Sequence, residues 1–234
     1  MNGILDHQVV QTQDGSDTIF SSQFNQHFHS IHGAMQESLH VYMKMGFDFV
    51  TTNELDILEI GFGTGLNTFL VARECLLNHS RSVRYCSIEK FPLNLEIAKQ
   101  LNYASDDLYQ QLFLKIHECE WNTNVEIQTN FILTKLQIEF TDFRPAAHKF
   151  DLIFFDAFSP TVQPELWTEE IFRKLFTSMK KNGILLTYCA KGQVRRNMIA
   201  AGFSVERLQG PPGKREMLRA KKMPNSFPFS IINN

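Results

Sequence analysis

Leu55-Asp56-Ile57-Leu58-Glu59-Ile60-Gly61-Phe62-Gly63-Thr64-Gly65-Leu66-Asn67 is the stretch whose reading decides the fold. LDILEI, at 55–60, reads as a buried strand, and it runs straight into three alternating glycines. From 66 to 77, LNTFLVARECLL reads as a helix. A strand that empties into glycines and then a helix leaves free helix N–H groups facing a ligand. Without Cβ atoms, the loop can turn tightly and lie close to that ligand.

Outward from this unit, apolar runs alternate with amphipathic stretches. VRYCSIE (83–89) reads as a second strand and PLNLEIAKQL (92–101) as its helix, with Pro92 acceptable near the start. EIQTNFILTKLQIEF (126–140) alternates with a period of two and reads as a strand pair or one longer strand. FDLIFFD (150–156) is a continuous apolar run, as in the middle of a parallel sheet. LWTEEIFRKLFTSM (166–179) reads as a helix, NGILLTYC (182–189) as a strand, and GQVRRNMIAAG (192–202) as a short helix closed by Gly202. FSVERL and KREMLRA read as two last strands around the turn QGPPG. Strands alternating with helices predict a doubly wound parallel sheet, with an antiparallel hairpin at its C-terminal edge.

Composition narrows the classes. The chain has 234 residues, 43% of them hydrophobic, enough for one substantial core. No apolar run is long enough to span a bilayer, and the polar, acidic first residues do not resemble a signal peptide. Cys75, Cys86, Cys119 and Cys189 form no CxxC pair, which favours buried thiols and a cytoplasmic location. The net charge of −2 hides an asymmetry: between Arg173 and Lys222 stand thirteen Lys or Arg and only Glu206 and Glu216. One basic face suits a polyanion, though a solvated surface accounts for the same composition.

Two further strand ends carry chemistry. Glu89 closes the second strand, where a carboxylate can accept both hydroxyls of a ribose. The fourth core strand empties into Asp156-Ala157-Phe158-Ser159-Pro160, where an open α/β sheet binds its ligands. There Asp156 could orient an alkylamine and take its proton, and Phe158 could stack on a flat base. A loop cap and a core phenylalanine are the plain alternatives. The glycine spacing is GxGxG with an acid two residues ahead, unlike the GxGxxG of dinucleotide folds. It resembles the nucleoside loop of methyltransferases.

The resemblance becomes specific in six ordered motifs: GFGTGLN (61–67), EKFPL (89–93), DAFSPTVQPELWT (156–168), GQVRR (192–196), AGF (201–203) and GKREML (213–218). Together these resemble the methyltransferase half of the MnmC family, also found free-standing as MnmD, over about 28–220. The resemblance implies a Rossmann-like class I fold, an α/β architecture with a seven-stranded, mostly parallel sheet and a C-terminal antiparallel hairpin. It implies a lead segment over 1–50 that covers the site, a methyltransferase domain over 51–222 and a tail over 223–234. The implied cofactor is S-adenosylmethionine, and the implied reaction methylates the amine of 5-aminomethyluridine, with or without 2-thiolation, at position 34 of tRNA.

By that resemblance, Glu59, Gly61, Gly63, Gly65 and Asn67 hold the methionine portion of the cofactor and Glu89 its ribose, with Gly33 and Glu37 close by. Asp156 and Phe158 line the amine pocket. Either Glu139 or Asp142 is a candidate for the adenine, because the GD pair of relatives is replaced here by LTKLQIEFTDF. Arg195, Arg196, Lys214 and Arg215 are the candidates for phosphates of a tRNA anticodon stem-loop. The FAD-dependent part of bifunctional relatives has no counterpart in the motifs, so the aminomethyl form is expected to be made elsewhere. His27, His29, His32 and His40 suggest hydrogen bonding rather than a metal, which methyl transfer does not need. Two rival readings keep the same fold: methylation of a small-molecule or protein amine, and a non-catalytic RNA-binding module.

Overall fold

A computed structural model describes residues 7–224, so the first six residues and most of the expected tail lie outside the described residues. The chain opens with β1 (His7–Gln11), β2 (Asp17–Ser21) and β3 (Gln26–His27), a small antiparallel sheet, followed by α1 (Ala34–Ser38). α1 continues as a wider turn over Leu39–Lys44. Then come β4 (Glu54–Ile60), α2 (Leu66–Leu77), β5 (Ser82–Glu89), α3 (Leu95–Ala98), α4 (Asp107–Glu118), β6 (Asn124–Gln128) and β7 (Phe131–Gln137). β8 (Phe150–Phe155), α5 (Glu169–Ser178), β9 (Met179–Thr187), α6 (Gly192–Ala200), β10 (Ser204–Gln209) and β11 (Glu216–Lys221) complete it.

The main sheet runs β10-β11-β9-β8-β4-β5-β7-β6. Its five central strands, β9, β8, β4, β5 and β7, are mutually parallel, and the β10–β11 hairpin joins β9 antiparallel, as the sequence predicts. The strand count departs from that prediction: this sheet has eight strands, not seven. A turn at residues 129–130 splits the 126–140 segment into the antiparallel pair β6 and β7. Asn130 pins that turn by donating to the carbonyls of Cys75 and Arg81.

Alternation along the strands builds a core on each face. On one face Ile57, Tyr85, Leu152, Phe154 and Leu186 pack with Phe69 and Phe113. On the other, Leu58, Ile88, Ile153, Phe155 and Leu185 pack with Phe172, Phe176 and Met198. The helix expected over 92–101 shrinks to α3. Asn94 is its N-cap and accepts from Glu96 N, so the helix starts only after it; Asn102, past the expected end, exchanges bonds of 2.8 and 3.1 Å with Asp17. α4 is absent from the reading of the sequence, although Leu108, Leu112, Phe113 and Ile116 recur at helical spacing. Its Asp106 cap accepts from Tyr109 N, and Leu112, Phe113 and Ile116 form its buried face.

At the amino ends of the strands, buried Asp56 on β4 accepts from Arg84 Nε and Nη2 on β5 at 2.7 and 2.8 Å and from Lys180 Nζ on β9 at 3.0 Å. Burial works to raise its carboxyl, but the two cations outweigh burial and hold it below the usual carboxylate range. Arg84 and Lys180 keep water contact, so Asp56→Asn is expected to cost only about 1–2 kcal/mol in urea unfolding at neutral pH. A depressed carboxyl stabilises above its unfolded pKa and loses that contribution as pH falls through the folded value. The gap between wild type and variant should therefore close in acid below the carboxylate range.

Candidate functional site

The carboxyl ends of the five parallel strands meet at an open cleft. β4 contributes Ile60, Gly61 and Gly63; β5 contributes Ile88 and Glu89; the chain after β7 contributes Ile138, Glu139 and Phe140. Beyond β8 come Asp156, Ala157 and Phe158, and beyond β9 Tyr188. Strand order reverses between β4 and β8, so the edges diverge there and leave the crevice in which open α/β sheets take ligands. Phe24, Gln26, His27, Phe28 and His29, from the amino-terminal segment, form the opposite wall.

The glycine loop follows from local packing. Gly61 has φ 93°, and a Cβ on it would lie 2.6 Å from the Asp156 carbonyl oxygen, so only glycine lets β4 pass β8 at this point. Gly65, at φ 74°, starts α2 with its Cα facing His117, whose Nε2 would stand 2.8 Å from an added Cβ. Thr64 is fully buried behind the loop: His29 Nε2 lies 2.8 Å from its Oγ1, Tyr103 donates to the same oxygen, and His117 Nε2 lies 3.1 Å from its carbonyl. Burial pushes both histidines down to about 4, so near neutrality they are uncharged props of the loop. His32 contacts Gln13 and His40 the Gln209 carbonyl. Among the described residues, no three His, Cys, Asp or Glu side chains form a group able to hold a metal ion.

Three carboxylates surround the loop, and burial raises each of them. Glu89 accepts from Gly63 N at 3.1 Å and Phe91 N at 2.9 Å, which ties the loop to the end of β5. Burial nonetheless raises its pKa. Glu59 is wholly buried below the loop, accepts from Thr68 and Ser87, and is pushed up to about 8, chiefly by burial. Its Oε1 and the Oδ1 of Asn67 have no partner. Two buried polar atoms without partners at the base of the loop fit a ligand that brings a cationic group, whose charge would favour the ionised form of Glu59. Asp156 accepts from Asn67 Nδ2 at 2.9 Å, and burial, then the charge of Glu37, push it up to about 7. A carboxylate titrating near neutrality can both receive and hold a proton.

Glu37 lies 5% exposed, accepting from Ser30 N at 2.9 Å and from Lys214 Nζ. Lys214, read from sequence as a phosphate contact, thus turns inward, with its ammonium 3.9 Å from the centre of the Tyr188 ring. A charge count cannot show this, because the partner stands in a distant part of the chain. Gly33 does not line the cleft; its backbone approaches Asp14, whose Oδ2 would stand 2.6 Å from an added Cβ. Phe158 packs against Phe24, with ring centres 4.7 Å apart, and against Phe28 at 5.2 Å. Phe91 extends the cluster. Besides α4, the sequence reading missed the aromatic partners Phe24 and Phe28, of which the chain's 21 phenylalanines are the trace. Glu139 lines the cleft, paired to Lys90 at 2.8 Å, whereas Asp142 is exposed outside it. Arg196 and Arg215 are exposed, and Arg195 is half-buried on α6 with its Nε unpartnered.

Comparison with known proteins agrees with this arrangement. The family described as S-adenosyl-L-methionine-dependent methyltransferase matches residues 98–223, more than half of the chain. The chain is 32% identical over 219 residues to the tRNA 5-methylaminomethyl-2-thiouridine biosynthesis bifunctional protein MnmC of Leptospira interrogans, covering 86% of this chain and 33% of that protein. With the protein of the same name from Campylobacter fetus the figures are 26% over 210 residues, 87% and 34%. The chain therefore spans about a third of the length of these curated relatives. Among solved structures, MNMC2 from Aquifex aeolicus superposes with a TM-score of 0.76 at 22% identity, covering 95% of this chain and 73% of that one. Spermidine synthase from Thermotoga maritima gives 0.57 at 16%, with 98% and 72% covered. Both likenesses are of fold.

The contact at Gly61 makes a direct test. Gly61→Ala combines a positive φ with a collision against backbone, and is expected to destabilise the fold by about 1–3 kcal/mol. Urea unfolding followed by circular dichroism measures it, and Gly15→Ala, whose added Cβ meets nothing within 4 Å, isolates the part due to φ alone.

Proposed function

The chain belongs to the S-adenosyl-L-methionine-dependent methyltransferases, and from that premise we propose that it methylates the primary amine of 5-aminomethyluridine, with or without 2-thiolation, at wobble position 34 of tRNA. The observation that carries this reading is Asp156. It is a carboxylate poised near neutral pH at the mouth of the cofactor cleft, next to aromatic rings that suit a nucleobase. The names of the relatives point to the same substrate class.

When bound, S-adenosylmethionine supplies a methyl group made electrophilic by its sulfonium. Glu59, Asn67 and the backbone at Gly61, Gly63 and Gly65 would hold its methionine portion, and Glu89 its ribose. Ile138, Phe140, Ala157 and Leu166 offer an apolar slot for the adenine, with Glu139 at the edge. An alkylamine reaches the site largely as an ammonium. Asp156 accepts a proton from it, which frees the nitrogen lone pair for in-line attack. Phe158 and Phe24 would clasp the uracil ring and align that nitrogen. Glu37, expected close to the cofactor, is buried on α1 and accepts from Ser30 N and Lys214 Nζ.

The basic third is less free than its charge suggests. Lys180 pairs with Asp56 and Asp151, Arg207 with Glu216, Arg219 with Glu206, and Lys222 is buried on backbone carbonyls. Exposed Lys191, Arg196 and Arg215, with Arg195, are the cations we assign to phosphates of the anticodon stem-loop. A cytoplasmic location fits the four free cysteines.

The testing experiment is incubation with S-adenosylmethionine and tRNA carrying aminomethyluridine, followed by nucleoside mass analysis for 5-methylaminomethyluridine. A product only with free amines or proteins would replace the tRNA reading, and cofactor binding without transfer would favour a binding module. Asp156→Asn keeps shape but removes the base, so turnover is expected to fall by about 10²–10⁴-fold with cofactor affinity near wild type. Raising pH should partly rescue it by supplying free amine. In titrations of tRNA binding, affinity should decline steeply with added salt, and Arg195→Glu with Arg196→Glu should flatten that slope by removing phosphate contacts.

A further inference from the structure

We propose that Asn67 is a positioning residue that orients the carboxylate of Asp156, and that the cofactor completes this hold by engaging the remaining oxygen of the same amide. The proposal deepens the methyltransferase reading above and rests on it for its purpose. Asn67 is the second residue of α2 and lies 2% exposed along the cleft. An asparagine is a poor choice inside a helix, because its amide competes with the backbone for hydrogen bonds. Here Nδ2 donates to Asp156 Oδ2 at 2.9 Å, whereas Oδ1 is buried with no partner among the described residues. Bonding to Asp156 accounts for the donor alone; the unpaired oxygen calls for a ligand. The direction of the amide is fixed, since turning it over would set its oxygen against an oxygen of the ionised carboxylate.

The next residue of the helix shows which ligand group is suited to that oxygen. Thr68 Oγ1 donates to Glu59 Oε2 at 2.9 Å, and Ser87 Oγ on β5 donates to the same oxygen at 2.6 Å. Both bonds fall on Oε2, so Glu59 Oε1 is left unpaired like Asn67 Oδ1. Glu59 and Asp156 stand on neighbouring strand ends: Glu59 is in register with Phe154, and Asp156 N donates to the Ile60 carbonyl. Consecutive residues at the start of α2 therefore hold the two acids, Thr68 the one below the loop and Asn67 the one facing the amine. Of the two cationic centres in S-adenosylmethionine, the sulfonium has no hydrogen to donate and the α-ammonium has three. That ammonium suits the unpaired oxygens of Glu59 and Asn67. With its oxygen engaged, the Asn67 amide no longer swings, and its Nδ2 pins Oδ2 of Asp156. Oδ1 of Asp156 is then left to meet the substrate amine from one direction, as in-line attack requires. The acid is thereby set for the amine only when the methyl donor is in place.

The Asn67 amide reports on itself. In ¹H–¹⁵N spectra its side-chain pair is assigned by its loss in Asn67→Leu, and Asp156→Ala should move that pair upfield by removing its acceptor. S-adenosylhomocysteine, which keeps the ammonium, should shift the pair and slow its exchange with solvent. 5′-Methylthioadenosine, which lacks the amino-acid portion, should leave it as in the free protein. A pair that ignores Asp156→Ala, or that responds equally to the two ligands, overturns the proposal. In kinetics at saturating cofactor, Asn67→Leu is expected to lower kcat by about 10²-fold with the KM for tRNA near wild type. In the Asp156→Asn background the same change should lower kcat no further, because Asn67 acts through Asp156; losses that multiply in the folded double variant would also overturn it. The spectra need no tRNA, so failure to methylate aminomethyluridine would reject the substrate reading while the Asn67 amide still decides this one.

Discussion

The arrangement depends on one close approach: the backbone of Gly61 against the carbonyl of Asp156, where β4 and β8 run out side by side. Asp156 N donates to the Ile60 carbonyl at 3.0 Å, so the last bond of the parallel ladder is made by the residue that then turns its carboxylate into the cleft. The chain beyond β4 must swing away at once to start α2, and any side chain at Gly61 would force the strands apart. The glycine loop and the acid are therefore two halves of a single junction. Asn67, on the first turn of α2, closes it by donating back to Asp156.

Around that junction the molecule builds a weakly polar surround. Neutral His29 and His117 and the hydroxyl of Tyr103 brace Thr64, so the loop is held from behind by groups that carry no charge near neutrality. The low polarity has an electrostatic price in raised carboxyls at Glu59, Glu89 and Asp156. Those raised values suit a site that receives cations, since an arriving positive charge stabilises the ionised acids. Charge on the protein and charge on the ligand are then complementary.

The amino-terminal segment shows why the cleft is one-sided in sequence but two-sided in space. β2 and β3 bring Phe24 and Phe28 over Phe158, and the reciprocal bonds of Asp17 with Asn102 anchor the small sheet to the main fold.

The sequence by itself determined the parallel sheet, its C-terminal hairpin and the ligand edge, because strand periodicity and glycine spacing are local and β4, the loop and α2 are consecutive. Glu89 and Asp156 were legible for the same reason, each being the residue at which an apolar strand stops. The tertiary structure decided what local pattern cannot carry. It split 126–140 at Asn130, whose side chain reaches Cys75 and Arg81. It turned Lys214 from an apparent phosphate ligand into the partner of Glu37. It spent much of a basic third on internal ion pairs. Charge counts add residues regardless of direction, whereas burial and pairing depend on which distant side chain stands opposite, and only the folded chain specifies that.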